Sequence, residues 1–229
     1  SSKYNEFLSN LISEKLHENW SPEQISNALL NGKLSFKTIY NWIYIGKLKG
    51  ISFKNLRHKG KRRKKETRGK FLIGNSITTR PKDVKSRKTF GHWELDTIVS
   101  SRGKSKACLA TFVERKTRFY VAIKIKDRTA PSMLKAIKKL VKVLPKKALK
   151  TFTTDRGKEF ACYKEVEKLN IKVYFADAYA AWQRGSNENS NGLLREYYPK
   201  KTDLGKISND DLIEKLILLN SRPRKCLNW

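Results

Sequence analysis

The order of apolar segments after residue 90 constrains the fold of this chain more than any other sequence feature. Three runs rich in β-branched and aromatic residues come first, G-H-W-E-L-D-T-I-V, A-C-L-A-T-F-V-E and R-F-Y-V-A-I-K-I, with short turns between them. Apolar residues then recur at helical spacing from Met133 to Leu144, and Pro145 ends that helix. The remaining predicted elements are strands at residues 149–154 and 171–175 and helices at 157–169, after Ser186 as N-cap, and from Ser208 towards Arg222.

Three antiparallel strands followed by alternating helices and strands form the element order of a ribonuclease-H-like α/β domain of the retroviral-integrase type. A chain of 229 residues has room for one such domain and a smaller one, and 38% hydrophobic residues can build a sizeable core. We therefore predict an all-α helix-turn-helix module at residues 1–50, a basic linker at 51–90 and the catalytic α/β domain at 91–229.

The N-terminal module carries clear helix-start signals. In W-S-P-E-Q-I, Ser21 and Gln24 form the pattern of a capping box, and Ser35 is placed to cap the following helix. Two short helices joined by a glycine-containing turn are typical of a helix-turn-helix, whose second helix enters the major groove of DNA. A plain three-helix bundle with a solvated polar face has the same pattern. The candidates for DNA contact are Ser35, Lys37, Thr38 and Asn41.

The charge of the chain predicts a polyanionic partner. Fifty-one Lys and Arg residues against 21 Asp and Glu give a net charge of +30, which supports nucleic-acid binding without naming an activity. Between Lys54 and Lys70, ten of 17 residues are basic. A solvated linker or a nuclear-localisation signal would have similar composition, but we favour a segment that tracks the DNA backbone. Its predicted phosphate contacts are Lys61, Arg62, Arg63, Lys64 and Lys65.

Cysteine usage and hydropathy exclude other classes of protein. Cys108, Cys162 and Cys226 are scattered without a C-x-x-C pair, so neither a disulfide framework nor a zinc site is indicated. This pattern fits a reducing cytosol. The sequence contains no apolar run long enough to cross a bilayer, and we expect no membrane partner.

Three acids are predicted to reach one edge of the sheet. Asp96 lies within the first strand, Asp155 ends the fourth, and Glu188 falls in the first turn of a later helix; open α/β sheets place their sites at such strand ends. Carboxylate oxygens suit Mg²⁺, and two ions about 3.5–4 Å apart can activate an attacking oxygen and stabilise a leaving one. Most acids in the chain are ordinary surface partners of lysine, so the pattern alone leaves other combinations open. The nearby alternatives are Glu94, Glu159 and Asp177.

Basic residues surround these acids. Lys158 follows Asp155 closely and is a candidate phosphate contact, as are Arg184 and Arg195 on either side of Glu188. The neighbouring asparagines, Asn187 and Asn191, equally suit a role in bracing the helix.

Four extended motifs occur in one order: G-H-W-E-L-D-T, V-E-R-K-T-R-F, T-D-R-G-K-E-F and W-Q-R-G-S-N-E-N-S-N-G-L-L-R. Together they resemble the insertion-sequence-30 family of bacterial transposases, from W-S-P-E-Q-I to R-P-R-K-C-L-N-W. The resemblance implies that Asp96, Asp155 and Glu188 are the catalytic and metal-binding triad. It also implies Mg²⁺ or Mn²⁺ as cofactor, two ions per active site, and makes Glu159 and Asp177 bystanders.

The function implied by this resemblance is that of a DNA transposase. It would bind the terminal inverted repeats of an insertion sequence and catalyse strand cleavage and strand transfer into target DNA, as a homodimer, in the bacterial cytoplasm at the nucleoid. Two alternatives stay open: a structure-specific nuclease that does not join strands, and an inactive DNA-binding regulator. The sequence departs from many relatives at Arg156, where they have Asn. A further helix-turn-helix usual in the family does not occur in it, and we expect weaker binding of the repeats if that module recognises them.

Overall fold

A computed structural model describes residues 4–57, 74–177 and 180–229. The described residues form two compact units, and the division does not follow the chain from one end to the other. Residues 4–57 and 221–229 belong to the first unit, and the residues between them belong to the second. Within these described ranges, no helix has both the length and the apolar composition needed to cross a membrane.

The first unit contains the predicted helices, α1 (Glu6–His17), α2 (Pro22–Gln24), which continues as a π-helical turn, and α3 (Phe36–Tyr44). The capping box is confirmed: Ser21 Oγ accepts a hydrogen bond from Gln24 N at 3.2 Å, and Gln24 Oε1 accepts one from Ser21 N at 2.8 Å. Ser35 caps α3 as predicted, since its hydroxyl accepts from Lys37 N at 3.3 Å.

One face of α3 is buried in the core of the first unit. Ile39, Trp42 and Ile43 are buried, whereas Phe36 is exposed. Positions i, i+3 and i+4 share one helical face, and Phe36 lies at the helix start beside its cap. Residues 221–229 pack on this unit, where Gln24 Nε2 donates to the carbonyl oxygen of Pro223 at 2.8 Å.

The second unit is built around a six-stranded sheet in the order β1-β6-β5-β2-β3-β4. The strands are β1 (Asn75–Ser76), β2 (His92–Val99), β3 (Cys108–Glu114), β4 (Tyr120–Ile125), β5 (Thr151–Thr154) and β6 (Lys172–Phe175). Strands β2, β3 and β4 are antiparallel, whereas β5 pairs in parallel with both β2 and β6. The three predicted antiparallel strands are confirmed, and so are the two later strands, which pair in parallel and begin at Thr151 and Lys172 rather than at residues 149 and 171.

Helices cover both faces of this sheet: α4 (Lys82–Ser86), α5 (Ala130–Val143), α6 (Tyr163–Glu167), α7 (Gly185–Tyr197) and α8 (Asn209–Asn220). Helices α5 and α6 pack with Phe112 and Phe152 on one face, whereas Leu109 packs with Leu194 of α7 on the other. Every residue of β3 is buried, as expected for a central strand covered on both sides.

Several local predictions need correction. Residues 157–169 do not form one helix, because a 3₁₀ turn at Lys158–Cys162 precedes the short α6. Ser186 is not an N-cap: Arg184 holds that position, and the Ser186 hydroxyl accepts from Arg118 Nη1 at 2.9 Å. Within the predicted linker, β1 pairs with β6 and α4 is helical. The run from Lys61 to Lys65 lies outside the described residues.

Candidate active site

Two of the predicted acids meet at one end of the sheet. Strands β2 and β5 are adjacent and parallel, so Asp96 within β2 and Asp155 just after β5 come close together. The Arg184 guanidinium bridges them: Nη1 lies 3.4 Å from Asp96 Oδ2, and Nη2 lies 3.2 Å from Asp155 Oδ2. Arg184 Nη1 also donates to the carbonyl oxygen of Leu95 at 3.3 Å. The two carboxylates therefore share one internal cation.

The orientation of each carboxylate is fixed by the backbone. Asp96 Oδ1 accepts a hydrogen bond from Thr97 N at 2.8 Å, and Asp155 Oδ1 accepts one from Gly157 N at 2.9 Å. Burial raises the pKa of the Asp96 carboxyl; the positive charge of Arg184 opposes that rise and the negative charge of Asp155 adds to it. The negative charges of Asp96 and Asp155 repel each other, so a nearby positive charge is needed to keep both carboxylates ionised.

Glu188 is in the first turn of α7, as predicted, and it is exposed. Among the described residues, no three His, Cys, Asp or Glu side chains are gathered in a way that could hold a metal ion. The structure thus brings Asp96 and Asp155 together but does not gather Glu188 with them. Asn191, three residues further along α7, donates from Nδ2 to Asp96 Oδ2 at 3.2 Å. Since residues at i and i+3 are neighbours on a helix, Glu188 lies one turn from the point where α7 contacts Asp96.

Glu159, which the resemblance treats as a bystander, is completely buried beside the acid pair. Its Oε1 accepts hydrogen bonds from Thr97 Oγ1 at 2.7 Å and from Arg128 Nε at 2.6 Å. Its Oε2 is also buried and has no hydrogen-bond partner among the described residues. The sequence offered one signal for this position, namely its place in the motif T-D-R-G-K-E-F.

Comparison with known proteins identifies the family of this chain. Residues 86–181 match the family model described as Integrase core domain. The transposase InsI of insertion sequence element IS30A from Escherichia coli K12 is 35% identical over 241 residues, covering 97% of this chain and 62% of InsI. The transposase of IS4351 from Bacteroides fragilis is 38% identical over 231 residues, covering 95% of this chain and 69% of the relative. This chain belongs to the insertion-sequence-30 family of transposases.

The predicted family and the ribonuclease-H-like integrase-core fold of the second unit are therefore confirmed. The chain spans 62% of the length of InsI. It is also similar to the catalytic core domain of HTLV-2 integrase in a magnesium complex, at 22% identity and a TM-score of 0.41, covering 56% of this chain and 82% of that one.

In this family member, a buried ion pair anchors the helix that carries Glu188. Glu94 Oε2 accepts a hydrogen bond from Asn187 N at 2.9 Å, and Glu94 Oε1 pairs with Arg115. The Glu94 and Arg115 side chains are 0% and 5% exposed. A carboxylate at a helix N-terminus is favourable, because it satisfies an otherwise unpaired N–H group and faces the positive end of the helix dipole.

Sequence reasoning considered Glu94 only as an alternative catalytic acid and did not single out Arg115. Besides pairing with Glu94, Arg115 donates from Nε to the carbonyl oxygen of Val84 at 3.3 Å. This hydrogen bond connects α4 to the same network. The motif V-E-R-K-T-R-F was the available signal for Arg115. Its meaning depended on a partner 21 positions earlier in the chain.

The predicted DNA-contact residues differ in their surroundings. On α3, Ser35, Lys37 and Asn41 are exposed and Thr38 is half-buried. Lys158 is exposed beside Asp155.

The Arg195 guanidinium is engaged by the backbone: it donates to the carbonyl oxygens of Tyr198 and Pro199, just after α7, and to that of Val99, at the end of β2, at 2.8 Å. Arg156, the position that departs from many relatives, lies with its guanidinium 5.8 Å from the centre of the Phe175 ring. Trp182 is 76% exposed two residues before Arg184, which excludes a core role for this side chain.

Proposed function

We propose that this chain acts as a DNA transposase that binds the ends of its insertion sequence and catalyses metal-dependent strand cleavage and strand transfer. One observation carries the proposal. In a chain of this family, the carboxylates of Asp96 and Asp155, from adjacent parallel strands, share the Arg184 guanidinium at the end of an integrase-core sheet. Strand ends of α/β sheets are where such folds place their chemistry.

The oxygen donors of Asp96 and Asp155 are of the type that a divalent metal takes, and Glu188 would complete the site. The donors are carboxylate oxygens, which Mg²⁺ and Mn²⁺ prefer, and the Arg184 guanidinium marks a position where positive charge is already stabilised. We propose Asp96, Asp155 and Glu188 as the ligands, with two ions per active site. When bound, these ions would activate the attacking oxygen and stabilise the charge that develops on the leaving oxygen.

The other residues of the site bind and orient DNA in this proposal. Hydrogen bonds from Thr97 N and Gly157 N hold the Oδ1 atoms of the two aspartates, so that both Oδ2 atoms are presented on the side of Arg184. In this proposal the Arg184 guanidinium would bind a phosphate oxygen of the DNA. The exposed Lys158 neutralises a further phosphate.

In the first unit, the exposed face of α3 is proposed to read DNA in the major groove, with Lys37 and Asn41 as the exposed polar contacts. The segment Lys61 to Lys65 would follow the phosphate backbone. Bringing two element ends together requires two active sites, so we propose a homodimer acting on DNA in the bacterial cytoplasm.

A strand-transfer assay tests the proposal. Duplex DNA carrying the element's terminal repeat is incubated with a plasmid target and Mg²⁺, and nicked and joined products are separated on a gel. The unaltered chain should produce both, whereas Asp155→Asn should retain DNA binding and produce neither. Nicks without joined products would indicate a nuclease, and binding without nicks would indicate a regulator. Near-normal cleavage by Asp155→Asn would remove that residue from the mechanism.

A further inference from the structure

We infer that two basic loops of the second unit form one surface that binds the phosphate backbone of the target DNA duplex. The loops are residues 100–107, which follow β2, and residues 199–208, which connect α7 to α8. Together they are termed the paired-loop surface. The inference rests on the proposed function for the need of a target duplex, and it concerns residues to which that proposal assigns no role.

Strand register places the paired-loop surface beside the acid pair. Strands β2 and β5 are parallel, so both lead to the edge of the sheet where Asp96 and Asp155 meet. Strand β2 continues from Asp96 to Val99, which lies opposite Cys108, before the first loop begins. At about 3.3 Å per residue, these three steps span about 10 Å. One turn of duplex DNA is about 34 Å long, so a duplex with one phosphate at Asp96 has others within reach of the surface.

The two loops carry an excess of positive charge. They contain six Lys and Arg residues and a single acid, Asp203. All six basic side chains are exposed, and none of them forms a salt bridge with a residue that the structure describes. They are Arg102, Lys104, Lys106, Lys200, Lys201 and Lys206. Exposed cations of this kind bind phosphates without reading bases, so the surface fits a target of arbitrary sequence better than a repeat selected by its sequence.

Hydrogen bonds hold the two loops together and fix the relative positions of these charges. Ser105 Oγ donates to Asp203 Oδ1, and Gly205 N donates to Ser105 Oγ at 3.1 Å. Leu204 N donates to Ser100 Oγ at 3.0 Å. The acid of the loops is thus engaged internally. Because the loops are already joined, less ordering is required when DNA binds.

A lysine of β4 and a glycine complete this arrangement. Lys124 Nζ donates to the carbonyl oxygens of Gly205 and Ile207, both at 2.7 Å, which attaches the second loop to the sheet. A Cβ atom on Gly205 would lie 2.8 Å from Ser105 Cβ, closer than such atoms approach each other. Glycine therefore permits the close contact between the loops. Gly205→Ala should move them apart without changing any charge.

The salt dependence of DNA binding tests the surface without any measurement of catalysis. The full chain is titrated against a fluorescently labelled duplex of random sequence, without divalent metal, at several salt concentrations. Replacing three basic residues of the first loop by Gln should reduce the slope of log affinity against log salt by up to about 2.7, at about 0.9 for each phosphate contact. The three residues are Arg102, Lys104 and Lys106.

A control variant removes the same charge at the opposite edge of the sheet, from the end of α5 to the start of β5. It replaces the exposed Lys142, Lys146 and Lys150 by Gln and should change the slope by less than about 0.9. A first-loop variant that lowers the slope no more than this control would overturn the inference.

Gly205→Ala tests whether the two loops act as one surface. Because it separates them without removing charge, it should weaken binding of the random duplex at least about threefold at one salt concentration. Unchanged affinity would mean that the basic residues act as independent charges and would overturn the paired-loop surface.

The strand-transfer assay decides which duplex the surface holds. Contacts to the target act in joining, so the ratio of joined to cleaved product should fall at least about fivefold in the first-loop variant and recover at higher plasmid concentration. The control variant should keep the ratio of the unaltered chain. An equal loss of cleavage and joining would assign the surface to the element's end and overturn the inference. An unaltered chain that cleaves no DNA would remove the proposed function and the target assignment with it, whereas an unchanged salt slope in the first-loop variant would overturn the surface alone.

Discussion

The buried pair of Glu94 and Arg115 gives the sharpest stability prediction. Replacing Arg115 with Met leaves the Glu94 carboxylate, whose side chain is 0% exposed, with the Asn187 N–H group as its remaining hydrogen-bond donor among the described residues. Removing one member of a buried ion pair typically costs about 3–5 kcal/mol, because the remaining charge stays desolvated. That is a large share of the roughly 5–15 kcal/mol by which a domain is stable.

The double variant, Glu94→Met with Arg115→Met, should be less harmful than Arg115→Met alone. Apolar replacement of both members of a buried pair is often neutral. What remains is the loss of the acceptor for Asn187 N, and an unsatisfied buried N–H group costs about 1–3 kcal/mol. The structure thus predicts a positive coupling between two substitutions 21 positions apart.

Urea unfolding followed by tryptophan fluorescence measures both effects, since Trp93 is fully buried in the core of the second unit. With a slope of about 2 kcal/mol per M, Arg115→Met should lower the midpoint by about 2 M. The control is Lys168→Met, which breaks an exposed pair with Glu165 and should change the free energy of unfolding by less than about 0.5 kcal/mol. A cost below about 1 kcal/mol for Arg115→Met, or a double variant less stable than the single one, would refute the reasoning.

Three further predictions follow from charge and exposure. Burial raises the pKa of Asp96, so ionisation of this carboxyl destabilises the folded chain as pH rises from the ordinary pKa of 3.8 through the raised one. Asp96→Asn removes this ionisation and should therefore increase the melting temperature of the metal-free chain at pH 7. The increase should become smaller as the pH is lowered towards 3.8. A destabilised Asp96→Asn at pH 7 would contradict this sign. Trp182→Ala should weaken single-stranded DNA binding by about 1–3 kcal/mol in a fluorescence titration, with an unchanged melting temperature; unchanged affinity would exclude base stacking. Replacing Lys61 to Lys65 by Gln should reduce the slope of log affinity against log salt by up to about 4.5, and an unaltered slope would mean that this run does not contact DNA.

The sequence predicts most elements of the second unit because their signals are local. Strands β2 and β4 follow apolar runs with β-branched residues, and Pro145 ends the helix before it. Strand β1 was missed because it contains only Asn75 and Ser76, a pair with no apolar periodicity. Its formation depends on β6, whose edge supplies the hydrogen-bonding partners.

The candidate site was predictable only in part, for a related reason. Motif resemblance points to Asp96 and Asp155, and the structure brings them together. The hydrophobic pattern of the sequence did not indicate that Glu94 anchors α7 or that Glu159 is completely buried. Charged residues are usually exposed, and the partners of these two are distant in sequence. Such networks arise from tertiary placement, and periodicity carries no information about them.

The first unit is assembled from two segments far apart in the chain, which has a consequence for its folding during synthesis. Gln24 contacts Pro223, 199 positions later, and Glu23 pairs with Lys225, 202 positions later. At about 5–20 residues per second, the ribosome needs roughly 10–40 s to deliver those partners after the early helices have emerged. The first unit is therefore begun before the second unit is translated and is completed only after it. A chain released early would contain α3 without the packing of residues 221–229. The first unit can therefore be complete only in chains in which the six-stranded sheet has already been synthesised.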